Sequence, residues 1–395
     1  MFRNNTVFVL GAGANWHYGY PTGDGLVGDV VKMADRLARY CDWRLKSGYQ
    51  LNCIPEYVAQ SGHDGWTRVR DECQLLSSRL KAVRPLLIDY FLAWNESLRS
   101  IGKLIIAGVI LDCEAQWLRE GANQKHRLII LNSPKSAPGD EERVDIAKYH
   151  DDWYRFIVHK LVYGCTDSAG LLKNKVRFIT FNYDSSLEYN LSQALRAIDL
   201  LNDADVEKFL IADRIVHVYG SVHQGMPLSN SIKCDFSMER ALSESSDYLQ
   251  ETAAVLNICF TSSESLRTID PHDKEDDKTS LGQAQQWLSD AGVVYILGYG
   301  FDENNNRRIG LERALRTSEN SNKTVMFTNF GDLKTINKKA SKLFYGTYEK
   351  FLGPALHQGH PKLGNYFEKS VRTVYEALEQ DFDALESEFI ATMSS

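Results

Sequence analysis

The chain has 395 residues, of which 43% are hydrophobic and 25% charged, and its formal net charge is −7 at pH 7. These values are typical of a globular protein, and the negative balance argues against a dominant nucleic-acid surface. The seven cysteines are scattered without Cys-x-x-Cys pairs, which predicts reduced thiols in a cytoplasmic protein, and neither a zinc ribbon nor another metal site is expected. The longest apolar stretch, Leu104 to Leu111, is too short to span a bilayer, so no membrane contact is expected.

An apolar strand and a glycine-rich turn open the chain. Thr6 to Leu10 reads as a strand buried on both faces of a parallel sheet, and Gly11-Ala12-Gly13-Ala14-Asn15 follows it. If a helix begins at about Ala14, its free N–H groups point at whatever fills the turn, and a pyrophosphate suits that place. Trp16 stands where the dinucleotide fingerprint has its third glycine. The turn therefore predicts nucleotide binding, but not of the ordinary dehydrogenase kind.

The next segments predict a loop and then a long helical block. Residues 19–25 contain three glycines and Pro21, and they form either a loop that folds over a ligand or a plain connector. Residues 26–174 show apolar side chains mostly at helical spacing, which predicts a helical insertion.

Strands and helices alternate after the insertion. Four strands are predicted over residues 176–180, 214–219, 293–297 and 324–328, with residues 255–260 as a further candidate and residues 261–282 as a mobile loop. Each of the four runs into polar or glycine-rich residues. Because the carboxyl ends of parallel strands share one edge of a sheet, these residues are expected to converge on one site.

The last predicted element is a helix from about Tyr366 to Ile390, with apolar residues spaced by three and four. It packs either on its own domain or on a partner helix. The whole pattern predicts an α/β fold, a Rossmann-like parallel sheet with a large helical insertion and a C-terminal helix. We divide the chain into a discontinuous Rossmann-like domain of residues 1–25 and 175–350, a helical insertion of residues 26–174 and a C-terminal helical segment of residues 351–395.

The strand ends carry short motifs that together resemble a known family. They are Gly11-Ala12-Gly13-Ala14, Gly19-Tyr20-Pro21, Thr180-Phe181-Asn182-Tyr183-Asp184, Tyr219-Gly220-Ser221, Gly298-Tyr299-Gly300-Phe301 and Thr328-Asn329. In this order they resemble the sirtuin (silent information regulator) family, most closely the sirtuin-like NAD-hydrolase domains of bacterial anti-phage defence proteins. The resemblance covers residues 6–25 and 176–330.

The resemblance implies that NAD is the substrate. The absence of paired cysteines predicts that no metal is needed. The resemblance places sixteen residues around NAD: Gly11, Ala12, Gly13, Ala14, Asn15, Pro21, Thr22, Phe181, Tyr219, Gly220, Ser221, Gly298, Gly300, Phe301, Thr328 and Asn329. Three departures bear on the activity. The interval after the histidine motif lacks the paired cysteines of deacylating sirtuins, Thr22-Gly23-Asp24 replaces their Asp-Phe-Arg, and Tyr219 stands where the family's catalytic histidine usually sits.

Three residues are predicted to be catalytic. Asn182 is suited to positioning the ribose and a water molecule, and Asp184 to orienting Asn182 or balancing positive charge. His217 titrates near neutrality and suits a general base, with His223 or Tyr219 as the alternative. The structural alternatives are that Asn182 and Asp184 cap the next helix and that His217 is a core histidine.

These observations predict an NAD+ hydrolase that releases nicotinamide and ADP-ribose, or cyclic ADP-ribose, and that acts in anti-phage defence by NAD depletion. The alternatives are a sirtuin-type protein deacylase or ADP-ribosyltransferase and a non-catalytic nucleotide-sensing subunit. Since a free NAD hydrolase would poison its own cell, we also expect a homo-oligomer controlled by a co-encoded partner protein.

Overall fold

Seven strands form one sheet at the centre of the molecule. The computed structural model describes residues 1–48, 54–60, 64–122, 152–199, 201–211, 214–224, 236–268, 278–316, 323–346, 357–359 and 366–381. The strands are β1 Thr6–Leu10, β2 Val176–Thr180, β3 Ile215–His217, β4 Val293–Leu297, β5 Thr324–Thr328, β6 His357–Gly359 and β7 Tyr366–Ser370. Their order is β3-β2-β1-β4-β5-β7-β6, and all neighbours are parallel except β6 and β7. The predicted Rossmann-like α/β fold is confirmed.

The centre of the sheet is apolar because its strands are buried on both faces. All five residues of β1, β4 and β5 are buried. In the register of the sheet Phe8 lies opposite Phe178 and Tyr295, and the three rings stack with centroids 5.2 and 4.7 Å apart. The strand order reverses between β1 and β4, so the loops that follow these two strands border the crevice where Rossmann-like sheets bind ligands.

Helices cover the sheet and form an additional layer. The helices before β2 are α1 Gly23–Ser47, α2 Glu56–Ala59, α3 Gly65–Val83, α4 Ile88–Trp94, α5 Arg99–Ala122, α6 Trp153–Val162 and α7 Ser168–Leu172. Those after β2 are α8 Ser186–Arg196, α9 Asp203–Ile211, α10 Met238–Ala241, α11 Leu249–Ser265, α12 Lys278–Asp290, α13 Glu303–Arg308, α14 Leu311–Arg316, α15 Lys334–Tyr345 and α16 Val374–Glu376. The predicted helical character of residues 26–174 is confirmed for the described part of that range.

The helical layer (helices α1–α6 together with α11) draws on two regions of the sequence. Helix α5 packs against α1, and α11 packs on α5. Gly108 permits this close packing, since a Cβ there would lie 3.2 Å from the Met238 Cε and 3.4 Å from the Cys259 Sγ. The prediction of a strand at residues 255–260 is wrong: they belong to α11, whose buried side chains recur at helical spacing from Thr252 through Cys259. The predicted loop of residues 261–282 is likewise helical at both ends, and residues 269–277 lie outside the described part.

The predicted helix start at Ala14 is also wrong. Two single 3-10 turns, Ala12–Ala14 and Trp16–Tyr18, follow β1, and the first α-helix begins only at Gly23. In a helix that began there, the Ala14 carbonyl would accept from a backbone N–H. Instead it accepts from the Trp153 indole N–H at 2.8 Å.

The C-terminal prediction is correct in part. Tyr366–Ser370 is a strand that pairs with β5, and Phe367 stacks on Phe344 at 4.7 Å. The predicted helix is wrong for these residues, because burial against β5 decides their conformation. Helical structure begins at Val374, after a Thr373–Glu376 capping box, and continues as a π-turn to Asp381. The remainder of the predicted helix, residues 382–390, lies outside the described residues.

Within the described ranges, no helix is both long and apolar enough to cross a bilayer.

Candidate active site at the carboxyl edge of the sheet

The loops after β1 and β4 are packed directly against each other. Gly11 N–H donates to the Leu297 carbonyl at 3.0 Å, and Gly13 N–H donates to the Gly298 carbonyl at 3.0 Å. Gly298 has φ +57°, and a Cβ on it would lie 1.9 Å from the Ala14 nitrogen. These glycines therefore allow the two loops to pack against each other. A side chain at position 11 or 298 would prevent this contact.

This packing uses most of the amides that were predicted to hold a pyrophosphate. Ala14 N–H donates to the Gly11 carbonyl at 2.9 Å, in addition to the two bonds made by Gly11 and Gly13. Among the described residues, the Ala12 N–H is the amide of this turn that has no protein acceptor.

Asn15 and Asp184 join the first and second strand loops through a buried network. The Asn15 amide donates to both carboxylate oxygens of Asp184, at 2.9 and 3.2 Å, and to Ser186 Oγ at 3.0 Å. Tyr154 of α6 donates to Asn15 Oδ1 at 3.0 Å. Ser186 N–H, the first of α8, also donates to Asp184 at 3.1 Å, although the N-cap of this helix is Ser185, whose side chain makes no capping bond. The partners of the Asp184 carboxylate are thus Asn15 and Ser186, not Asn182.

Burial raises the pKa of Asp184 to about 6, because charging a carboxyl away from water is unfavourable. Hydrogen bonds from Ser186 and Asn15 lower this pKa, while the nearby carboxylate of Glu114 raises it further. Asp184 is therefore part of a buried acidic pair with a side chain of the helical layer.

Asn182, directly beyond β2, is the residue whose side chain the fold leaves unsatisfied. It is 8% exposed, and neither its amide nitrogen nor its amide oxygen has a hydrogen-bond partner among the described residues. Its backbone is fixed, since its N–H donates to Thr180 Oγ1 at 3.1 Å. A buried amide without a partner costs about 1–3 kcal/mol, which makes this position a candidate for ligand contact.

His217, the preferred base of the sequence analysis, has a partner at each ring nitrogen. Nε2 lies 2.6 Å from Glu188 Oε1, and Nδ1 lies 3.0 Å from the Asn182 carbonyl oxygen. Burial alone would lower the pKa of His217, but the Glu188 carboxylate outweighs it and the pKa lies above its usual value. This geometry is that of a partly buried structural ion pair.

His223, the alternative base, is paired differently. Its Nε2 lies 2.7 Å from Glu114 Oε2, and its Nδ1 is buried without a partner among the described residues. Glu114 is fully buried, and its other oxygen accepts from Ser185 N–H at 2.9 Å. The Tyr20 hydroxyl is buried and has no hydrogen-bond partner among the described residues. Burial raises its pKa, and the nearby Glu114 and Asp184 raise it further.

The segments that carry Asn182 and His223 are neighbours. Val222 N–H donates to the Tyr183 carbonyl at 2.9 Å, and the Ser185 and Ser221 hydroxyls are 3.0 Å apart. The structure therefore brings together Asn182, Asp184, Ser221 and His223 of the predicted set. Sequence analysis missed Glu114. Its signal is a single acidic residue at a buried position of α5, three residues after the buried Leu111.

Aromatic side chains cover the same edge of the sheet. Phe181 stacks on Tyr299 with centroids 5.1 Å apart and lies 5.9 Å from Tyr219. The Tyr219 hydroxyl donates to Asn305 of α13, so the tyrosine that replaces the family's histidine is held by a partner within the fold. Burial raises the pKa of Tyr219 well above its usual value, which excludes it as a base near neutral pH.

The predicted residues near β5 have structural partners. Thr328 Oγ1 accepts from Gly298 N–H at 2.9 Å, and the Asn329 amide donates to the Leu333 carbonyl at 3.0 Å and to Asn337 Oδ1 at 2.8 Å. Phe301 is 1% exposed and packs edge-to-face on Phe327 and Phe344.

An open depression of about 930 Å³ lies beside Phe301 and Lys339. Lys339 also donates to the carbonyl of Gly300, at 3.3 Å, and a Cβ on Gly300 would meet nothing within 4 Å.

The remaining predicted residues shape turns. Pro21 and Thr22 precede α1, and the Thr22 hydroxyl donates to Asp24 at 3.0 Å. Gly220 has φ +72°, and a Cβ there would lie 1.9 Å from the Ser265 carbonyl oxygen. Ser221 Oγ accepts from His223 N–H at 3.2 Å, which fixes the turn that carries the histidine.

No family model, no curated protein and no solved structure matches this chain. In the part of the chain that the structure describes, no group of three or more His, Cys, Asp or Glu side chains is arranged to hold a metal ion.

Proposed function

We propose that the protein is an NAD+ hydrolase that cleaves the bond between nicotinamide and ribose. The observation that carries the proposal is the Asn182 amide, buried at the carboxyl end of β2 with neither polar atom partnered among the described residues. It occupies the position where the sirtuin resemblance expects the residue that contacts the ribose. The products are nicotinamide and ADP-ribose, or its cyclic form.

The chemistry makes modest demands on the protein. Nicotinamide leaves as a neutral group, so the barrier is the formation of an oxocarbenium-like ribose cation. Asn182 supplies one donor group and one acceptor, enough to hold a ribose hydroxyl and an attacking water together. Asp184 lies two residues from Asn182 in the chain, and Glu114 is close enough to Asp184 to raise its pKa. On this proposal the two buried carboxylates favour a developing cation.

The first turn offers fewer N–H donors to the pyrophosphate of NAD than the sequence predicts. Among the described residues, the Ala12 N–H is the donor that the first turn offers, since Gly11 donates to the last residue of β4 and Gly13 to the loop after it. On this proposal the adenosine end lies toward that second loop, near Gly300 and the depression beside Phe301.

The same packing favours a second candidate, a nucleotide-sensing subunit without turnover. The first-turn amides are engaged and Tyr219 replaces the family's histidine, and both features suit a site that binds weakly or does not react. A sirtuin-type deacylase or ADP-ribosyltransferase is the remaining alternative.

Incubation of the purified chain with NAD separates the three. Nicotinamide released without an acceptor indicates a hydrolase, and release only with a protein or peptide acceptor indicates a transferase. Binding without release indicates a sensor. The matched control is Asn182→Ala. This variant should still bind NAD, at least weakly, but release no nicotinamide above background.

We further propose that the chain acts in anti-phage defence by NAD depletion, as a homo-oligomer under the control of a co-encoded partner. The reason is physiological, because an uncontrolled NAD hydrolase is toxic to its own cell. Turnover of the chain alone, measured at several concentrations and then in extract of infected cells, tests this. Full activity as a dilute monomer, unchanged by extract, contradicts it.

A further inference from the structure

Two histidine–glutamate pairs lie at the end of β3, and they differ in one respect. In the pair of His217 and Glu188, the second ring nitrogen of the histidine is used by the Asn182 carbonyl at 3.0 Å. In the pair of His223 and Glu114, the second ring nitrogen has no partner among the described residues although it is buried. Both ring nitrogens of His217 therefore have partners, whereas Nδ1 of His223 has none among the described residues and can contact a ligand.

The position of the Glu114 carboxylate determines which nitrogen of the His223 ring carries the proton. The carboxylate is fully buried on α5, one oxygen accepts from Ser185 N–H at 2.9 Å, and the other is 2.7 Å from His223 Nε2. A carboxylate can only accept a hydrogen bond, so Nε2 must carry the proton. When the ring is neutral, Nδ1 then carries the lone pair, as in the histidines that act as general bases.

We infer that His223 is the general base of the proposed NAD-cleaving site, through Nδ1, and that Glu114 is its positioning residue. The inference rests on the proposed function. It gives the helical layer a role in the site, since Glu114 belongs to α5 while His223 and Asn182 belong to strand loops. It also explains how the site keeps a base although Tyr219 occupies the family's histidine position.

The step balances without a further reactant. The bond between the ribose C1′ and the nicotinamide nitrogen breaks, and both electrons leave with the neutral nicotinamide. A water oxygen forms the new bond to C1′. Its proton passes to Nδ1 of His223, and the resulting imidazolium is stabilised by the Glu114 carboxylate.

The test compares three variants of the full chain in the nicotinamide-release assay. His223→Gln keeps a donor toward Glu114 but removes the base, and Glu114→Gln keeps an acceptor but removes the charge. Glu188→Gln makes the same change in the other pair and is the matched control. Folding of each variant is checked by its circular dichroism and unfolding midpoint.

We expect His223→Gln to lower kcat by about 10²–10⁴-fold, with the KM for NAD changed by less than about threefold. Glu114→Gln should lower kcat by at least roughly tenfold, and the double variant should be no slower than His223→Gln, because the pair acts as a unit. Glu188→Gln should keep wild-type kcat. Retained kcat in a folded His223→Gln or Glu114→Gln, or an equal loss in Glu188→Gln, overturns the inference while leaving the proposed function intact.

A spectroscopic readout is independent of turnover. Nitrogen-15 spectra of the histidine side chains at mildly alkaline pH should show His223 protonated at Nε2, with the signal assigned by its loss in His223→Gln. Protonation at Nδ1 overturns the inference even if the variants are slow. A wild-type chain that releases no nicotinamide under any condition overturns the proposed function, and the base role with it.

Discussion

The side chain of Asn182 is placed at a cost to the stability of the fold. The backbone of this residue is tied to Thr180 and His217, yet its amide has no partner among the described residues. Asn174 is the opposite case. Its side chain accepts from Phe2 N–H at 2.7 Å and donates to the carbonyls of Leu161 and Leu171 at 3.0 Å. Both residues are buried, so they form a matched pair for separating structural from functional roles.

Asn182→Ala should leave the free energy of unfolding unchanged or raise it by up to about 1 kcal/mol, because the lost amide made no bond within the fold. Asn174→Ala should lower it by about 1–3 kcal/mol, because Phe2 N–H loses its acceptor and the Leu161 and Leu171 carbonyls each lose one donor. Denaturant unfolding measures both. Nicotinamide release should be lost in the first variant and kept in the second. Equal destabilisation by the two changes would contradict our description of Asn182.

A second residue-scale prediction concerns Asp89, whose carboxyl accepts from the Tyr183 hydroxyl. Burial raises its pKa from 3.8 to about 6. The folded state therefore binds the proton more tightly than the unfolded state, and this group makes stability fall as pH rises from about 4 to about 6. Asp89→Asn keeps an acceptor for Tyr183 but does not titrate.

The free energy of unfolding of Asp89→Asn, relative to wild type, should therefore rise by roughly 2–3 kcal/mol between about pH 4 and about pH 7. Urea titrations of both proteins at a series of pH values give this difference directly. A difference that does not change with pH would mean that Asp89 is not the titrating group.

At the scale of elements, the loops after β1 and β4 are fixed by backbone contact that only glycine permits. Gly298 combines φ +57° with an approach of 1.9 Å between an added Cβ and the Ala14 nitrogen. Gly300, two residues later, has open space around it. The same Gly-x-Gly sequence thus contains one constrained and one unconstrained position.

Gly298→Ala should lower the free energy of unfolding by about 3 kcal/mol or more, from backbone strain together with displacement of the first turn. Gly300→Ala should change it by less than about 1 kcal/mol. Thermal or urea unfolding of the two variants checks this. If the two losses were equal, the interlocked packing of the loops would be refuted.

Elements dominated by local pattern were predictable, and those decided by distant contacts were not. The strands over residues 293–297 and 324–328 are uniformly apolar or β-branched, and the strand over residues 176–180 departs from this only at Arg177. All three lie where the sequence predicts them. Residues 366–370 read as part of a helix because their apolar spacing continues into one, but pairing with β5 makes them a strand. The glycine turn was recognised, while its use in loop packing depends on Gly298, almost 300 residues away.

The same limit applies to the site. Asn182 and His223 could be named because each follows a predicted strand. The choice between His217 and His223 depends on Glu188 and Glu114, whose contacts no local pattern specifies.

At the scale of the whole molecule, buried bonds tie the helical layer to the carboxyl edge of the sheet. Asp89 of α4 bonds Tyr183, Glu114 of α5 bonds Ser185, and Tyr154 of α6 bonds Asn15. Each bond crosses from a helix to a loop that follows a strand. The site is therefore assembled only when the helical layer and the sheet are both folded and joined.

This arrangement predicts that the helices and the sheet unfold together. Tryptophan fluorescence, to which Trp66 of α3 and Trp153 of α6 contribute, and far-ultraviolet circular dichroism should report one coincident transition in urea. Tyr154→Phe removes hydroxyl bonds to Asn15 and Ser186 while keeping the ring stacked on Tyr18, and it should lower both midpoints equally, at a cost of about 1–2 kcal/mol. A shift confined to the fluorescence, or two separate transitions, would show that the helical layer is an independent unit. Glu114 would then reach His223 only in a subset of folded molecules, and turnover should fall in urea before the sheet unfolds.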